Sequence, residues 1–168
     1  MTTVHRLICT VLLAGALAGC RAEAPPAPPR FDPLAFFTGP SRGVGTLKVV
    51  TRDAVSIRVA SRGRPDGQGG LILDQRIVEG AKPPRQRRWL LRRTSPATLS
   101  GTLTDSPGVV AGRIDGKRLL LDFTMKGGLK AEQILTIQPD GRRLVNHMTV
   151  RKFGFPVAHV DELITRVD

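Results

Sequence analysis

The densest group of side chains able to do chemistry lies in "RQRRWLLRR", residues 85–93. Guanidinium groups match the geometry of phosphate and carboxylate oxygens. Arg87, Arg88 and Arg92, with Trp89 beside them, are therefore a candidate anion-binding face. A solvated edge strand explains the same run of cations, and the sequence leaves both interpretations open.

A second candidate site is "RKFGFPVAHV", residues 151–160, which holds two phenylalanines in a chain with only 4% aromatic residues. Glycine permits a positive φ, so a tight bend at Gly154 is expected to close one end of the fold. We expect the rings of Phe153 and Phe155 to enter different environments, one of them packed against Phe36 or Phe37. The alternative is that both rings belong to the core. The candidate ligand or rim residues are Trp89, Lys152, Phe153, Gly154 and Phe155.

No other group of residues forms a recognisable catalytic constellation. His147 and its neighbour Asn146 face opposite sides of a predicted strand, and no Gly-x-Ser-x-Gly segment is present. Neither paired cysteines nor histidines with zinc-ligand spacing occur. The sequence therefore predicts a protein that is not an enzyme and that has no metal and no cofactor.

The first residues have the layout of a bacterial lipoprotein signal. Arg6 precedes an apolar run that is too short to be a permanent transmembrane helix. The segment 17–20, "LAGC", resembles a lipobox, whose cysteine receives diacylglycerol on its thiol and an acyl chain such as palmitate on its new amine. We therefore expect residues 1–19 to be a signal peptide and Cys20 to be lipidated. A conventional signal with a chance cysteine is the alternative.

Charge and anchoring together predict the partners. The chain carries a formal net charge of +12, and outside the cytoplasm such a surface meets anionic lipid headgroups rather than nucleic acid. Arg21, rather than an aspartate, follows Cys20. We expect the periplasmic face of the outer membrane, with attachment through the N-terminal lipid.

The rest of the chain divides into a tether and one domain. Residues 20–30 are rich in proline and favour an extended linker. The segment "FDPLAFF", residues 31–37, is too apolar for a linker and predicts a short helical turn that plugs one end of the domain. Residues 31–168 are expected to form that single domain.

After residue 38 the hydrophobic pattern has period two and is interrupted by turns. Asp115-Gly116 and Pro139-Asp140-Gly141 are hairpin signals. Only the last residues, "AHVDELITRV", are also compatible with a helix. The sequence predicts an all-β fold: an antiparallel up-and-down meander of about nine or ten strands that closes into a barrel, with a sandwich as the alternative.

Two motifs carry a resemblance to a known family. The basic strand around Trp89, followed by Gly101 and Gly112, and the later "NHMTVRKFGFPVAHV" resemble an uncharacterised family of Gram-negative bacterial lipoproteins. The C-terminal motif of that family is Lys-Phe-Gly-Phe-x-Val, here Lys152, Phe153, Gly154, Phe155 and Val157. The resemblance implies a lipocalin-like barrel on a lipid anchor and no established activity.

Two functions remain open for such a barrel. It could hold a lipid or another apolar molecule in its lumen or mouth. Alternatively, it could be a non-catalytic structural or assembly factor of the cell envelope that contacts a partner through its basic surface. An open lumen favours the first function, and a lumen filled with side chains favours the second.

Overall fold

The computed structural model describes residues 31–168. One short helix, α1, precedes ten strands. The elements are α1 Pro33–Phe37, β1 Gly39–Val49, β2 Val55–Pro65, β3 Gly70–Glu79, β4 Arg85–Ser95, β5 Thr98–Leu103, β6 Val110–Asp115, β7 Arg118–Met125, β8 Leu129–Ile137, β9 Arg143–Lys152 and β10 Phe155–Arg166.

Each strand pairs antiparallel with its chain neighbour, and β1 also pairs with β10, so the sheet is a closed barrel. Closure removes every sheet edge and satisfies the backbone groups of the first and last strands. The predicted all-β meander and its closure are thus confirmed. The ladder closes within residues 39–166, so the barrel needs no strand from outside that range to close.

The last strand decides between the two alternatives that the sequence left for the final residues. The segment from residue 158 onward belongs to β10 and is not a helix. Val160 and Ile164 are buried while Leu163 is exposed, as the alternation of a strand requires. Pairing with both β9 and β1 stabilises this extended conformation.

The helix α1 plugs one end of the barrel, as the sequence predicts. Asp32 caps it by accepting hydrogen bonds from the backbone N–H groups of Leu34 and Ala35, at 3.0 and 3.3 Å. The rings of Phe36 and Phe37 are buried and pack edge to face, 5.1 Å apart. We call this the closed end; the turns between β2 and β3, β4 and β5, β6 and β7, and β8 and β9 lie there.

The opposite end has no helix over it. We call its five connections the open rim: residues 50–54, 80–84, 104–109, 126–128 and 153–154. Backbone hydrogen bonds join neighbouring connections, from Val50 N to Val157 O at 3.0 Å and from Lys126 N to Asp105 O at 3.1 Å. No helix within residues 31–168 is long and apolar enough to span a membrane.

Candidate ligand site in the barrel lumen

A cavity of about 340 Å³ occupies the barrel lumen. It extends from Phe37, in the plug, to Val49, Met125, Leu129 and Val157 at the open rim. Its volume falls within the range of small-molecule sites, roughly 300–1,000 Å³. Most of the lining is apolar, because the inward positions of nearly every strand carry aliphatic or aromatic side chains.

Trp89 belongs to the wall of this cavity. It is buried on β4, and its ring packs edge to face on Phe123 with centroids 5.3 Å apart. Its indole N–H donates a hydrogen bond of 2.8 Å to Gln75 Oε1, and Gln75 in turn donates one of 3.2 Å to the hydroxyl of Ser61. The ring is therefore held in one orientation with its polar atom satisfied.

A row of polar side chains crosses the opposite wall, and we call it the polar ladder: Gln133 on β8, Asn146 on β9 and Glu162 on β10. Gln133 Nε2 donates to Asn146 Oδ1 at 3.0 Å, and Asn146 Nδ2 donates to Glu162 Oε2 at 2.9 Å. All three side chains line the cavity. Among the described residues, the buried Oε1 atom of Gln133 has no hydrogen-bond partner.

Burial raises the pKa of Glu162 above its ordinary value. The hydrogen bond from Asn146 and the positive charge of Arg87 act in the opposite direction without cancelling the effect of burial. The protonated carboxyl is thus more populated here than on a surface. A neutral carboxyl can donate a hydrogen bond as well as accept one, which suits a polar group on a bound molecule.

An ion-pair cluster lies between the lumen and the open rim. Arg85 bridges Glu79 at 2.8 Å and Asp105 at 3.2 Å, and Arg87 contacts Asp105 at 2.6 Å. The side chain of Arg87 is only 10% exposed. Its burial lowers its pKa, and the attraction of Asp105 counteracts part of that change. The cluster fixes two cations at the edge of an apolar cavity.

The three arginines expected to share one anion-binding face do not do so. Arg87 points into the barrel, whereas Arg88 and Arg92 point outward, because side chains alternate along β4. Arg88 is paired with Asp74, and Arg92 contacts Asp66 at 3.0 Å. The outward arginines are therefore neutralised by neighbouring carboxylates, and β4 is not the edge strand of the alternative interpretation, because it pairs with β3 and β5.

The β9–β10 hairpin, which carries Phe153 and Phe155 and which we call the phenylalanine hairpin, also differs from expectation. Phe153 and Gly154 are the two central residues of the β9–β10 turn, with φ of 51° and 86°, so the positive φ expected at Gly154 is found. Both Phe153 and Phe155 are exposed, and neither contacts the plug, which lies at the other end. The expected division between a core ring and a rim ring is wrong. Open space surrounds Gly154, so no backbone approach requires it.

Pro156 lies at an irregularity of the ladder. The register between β9 and β10 shifts between Pro156 and Ala158, which is where a strand tolerates proline. The shift lets the consecutive residues Val157 and Ala158 both line the cavity. Cys20 and the tether at 20–30 lie outside the described residues.

The sequence analysis missed the polar ladder, although the sequence contains a signal for it. Gln133 falls between Ala131 and Leu135 at inward positions, and Asn146 falls between Leu144 and Met148. A polar residue at an inward position of an alternating strand marks a buried polar group. The pairing of three such residues on adjacent strands depends on register, which requires the structure.

Three comparisons relate this chain to known proteins. The family model described as "Protein of unknown function (DUF3833)" matches residues 11–166, so the chain belongs to that family. No curated protein matches the sequence. The solved structures that share the fold include the S-type phycobiliprotein lyase CPES from Guillardia theta and Rv2717c from M. tuberculosis.

Both structures superpose with a TM-score of 0.64. The lyase is 7% identical, and the match covers 80% of this chain and 90% of the lyase. Rv2717c is 18% identical, with coverages of 80% and 95%. At these identities the likeness shows the lipocalin-like barrel fold and assigns no ligand to this chain.

The lyase corrects the expectation that this chain is not an enzyme. That expectation depended on the absence of familiar catalytic motifs, yet a barrel of the same fold is a lyase by name. Groups that line a lumen come from different strands and leave no linear motif. The missing motifs therefore do not exclude an activity, and the 7% identity does not assign one.

Proposed function

We propose that the protein binds one lipid-like molecule, apolar along most of its length and polar at one point, inside the barrel lumen. The observation that carries this proposal is the cavity of about 340 Å³, which joins an apolar lining to buried hydrogen-bonding groups. A lumen filled with side chains would have favoured the alternative, a structural or assembly factor. The cavity supports ligand binding.

The lining suggests how such a molecule is held. Trp89 and Leu73 offer apolar contact on one wall, and Phe37 does so at the plug. On the other wall, Gln133 Oε1 accepts no hydrogen bond from the described residues. A ligand hydroxyl or amide group that donates to this atom would satisfy it. Because an unpaired buried acceptor is costly, this contact favours a ligand with a donor over a plain hydrocarbon.

Native mass spectrometry of residues 31–168 tests the proposal. The purified barrel should retain a lipid-sized mass or take up an added fluorescent long-chain fatty acid. Ala158→Phe places a ring in the cavity and should abolish that binding. Ala111→Phe, on an exposed outward position of β6, is the matched control and should bind as the parent does. Equal binding by both variants, or no binding by the parent, would contradict the proposal.

We also propose that the chain is held at the periplasmic face of the outer membrane by lipid on Cys20. The support is the lipobox-like segment at 17–20 and the absence of an aspartate after Cys20. In fractionated cells, Cys20→Ser should leave the protein unprocessed or release it from the membrane. A fractionation pattern identical to that of the parent would show that Cys20 does not anchor the chain.

A further inference from the structure

The open rim exposes four apolar side chains that the barrel does not use. Phe153 is 89% exposed and Phe155 74%, at the tip of the β9–β10 hairpin. Val109, in the β5–β6 connection, is 66% exposed, and Val50, in the β1–β2 connection, is 63% exposed. All four lie at the end of the barrel to which the cavity lining extends.

The conformation of Phe153 argues that its exposure is not incidental. Within residues 31–168 it is the one residue other than glycine with a positive φ, at 51°. That region is unfavourable for an L-residue with a bulky side chain, whereas asparagine or glycine adopts it more readily. The turn would form better with a small polar residue, so folding does not account for the phenylalanine.

Lysines surround these apolar side chains. Five of the six lysines in the chain lie on the open rim or within two residues of it: Lys48, Lys82, Lys126, Lys130 and Lys152. Among the described residues, Lys126, Lys130 and Lys152 form no salt bridge, and the ammonium of Lys152 lies 5.6 Å from the ring centroid of Phe153.

Most carboxylates at this end of the barrel form ion pairs with arginines. Glu79 and Asp105 are paired with Arg85 and Arg87, and Glu132 is paired with Arg151 at 3.3 Å. Among the carboxylates in the described part of the chain, Asp53 in the β1–β2 connection, Asp122 on β7 and Glu162 in the lumen form no ion pair. The open rim therefore has an apolar tip and an excess of free positive charge.

We propose that the open rim docks on an anionic phospholipid bilayer, with the rings of Phe153 and Phe155 inserted at the interface and the lysines at headgroup level. Aromatic rings and lysines are the side chains that favour this depth. Each lysine near an anionic surface adds attraction that salt screens. In this orientation the end of the cavity at the open rim faces the lipid.

Charge favours a bilayer over a second copy of the chain. A symmetric contact through the open rim would place its lysines against those of the other copy. Most of the carboxylates that could neutralise them, namely Glu79, Asp105 and Glu132, are already paired with arginines. An anionic bilayer supplies many phosphates at once.

Vesicle co-sedimentation of residues 31–168 tests the docking. We expect binding to vesicles of phosphatidylglycerol and phosphatidylcholine, weakened by salt, and about tenfold or more weaker binding to phosphatidylcholine alone. Phe153→Ser with Phe155→Ser should reduce binding by about tenfold or more. The triple change Lys126→Glu, Lys130→Glu and Lys152→Glu should do the same.

Matched controls use the same residue types elsewhere. Val44→Ser removes a 62% exposed valine from the barrel wall, and Lys117→Glu reverses the one lysine at the closed end. Both should bind vesicles as the parent does. If a rim variant unfolds, Phe153→Trp gives a second readout, since its indole should be quenched by brominated lipid while the lumenal Trp89 is protected.

Three outcomes would overturn the docking: unchanged binding by the rim variants, equal binding to neutral vesicles, or a dimer of the parent that the phenylalanine changes dissociate. The docking does not depend on the proposed lumenal ligand. Ala158→Phe should lose the ligand and keep vesicle binding, so the two proposals fail separately.

Discussion

The two ends of this barrel use the same residue types in opposite ways. At the closed end, Phe36 and Phe37 are buried in the plug. At the open rim, Phe153 and Phe155 extend into solvent. The difference lies in the element that carries each pair. The capped helix α1 places the first pair over the lumen, whereas the two-residue β9–β10 turn holds the second pair out in solvent.

The cations differ in the same way. At the closed end, arginines are paired with carboxylates, as in Arg93 with Asp32 at 2.9 Å and Arg142 with Asp168 at 2.6 Å. At the open rim the lysines are mostly free. A planar guanidinium suits a fixed ion pair, and a hydrated ammonium suits a mobile anionic surface. We infer that one end maintains the fold and the other is available for contact.

The largest expected effect is a difference in stability between variants of the two phenylalanine pairs. Phe36→Ala should lower the free energy of unfolding by about 3–5 kcal/mol, because it empties a buried site. Phe155→Ala should change it by no more than about 0.5 kcal/mol, because the ring is exposed. Urea unfolding of both variants measures this. Equal losses would mean that the two ends do not differ as described.

A smaller effect concerns how the plug is seated. Gly63 on β2 lies against the backbone of α1, and a Cβ there would overlap the carbonyl oxygen of Phe37. Gly63→Ala should therefore displace the plug and destabilise the barrel by about 1–3 kcal/mol.

The control for that variant lies at the other end. Gly108→Ala, in the β5–β6 connection, meets no atom within 4 Å and should be neutral to within about 0.5 kcal/mol. Thermal melts of the two variants compare them. A neutral Gly63→Ala would show that the plug is not fixed by this contact.

The sequence predicts one end of the molecule better than the other. The plug and most strands follow from local signals, namely the apolar segment at 31–37 and period-two alternation between turns. The direction of the phenylalanine hairpin does not, because its environment depends on which end of the closed ladder it occupies. The polar ladder likewise depends on the register of β8, β9 and β10.

The next effect is a gain in stability at the open rim. Phe153→Asn places the residue type that best tolerates this positive φ before Gly154, which gives the preferred sequence for a two-residue hairpin turn. We expect stabilisation of about 0.5–1 kcal/mol together with weaker vesicle binding. Stabilisation without loss of binding would leave the phenylalanine unexplained.

The smallest effect lies between the two ends, at Glu162, where Asn146 and Arg87 offset part of the cost of burial. Because burial raises its pKa in the folded state, its contribution to stability is fully present below the ordinary glutamate pKa. That contribution is lost as the pH rises through the raised value. Glu162→Gln keeps the size and the acceptor for Asn146 but cannot ionise. The variant should match the parent at acid pH and become the more stable protein as the pH approaches neutral, which melts across that range would measure. A parent that gains stability relative to the variant as the pH rises would mean that Glu162 is a stabilised anion, and that the positive charge of Arg87 outweighs the cost of burial.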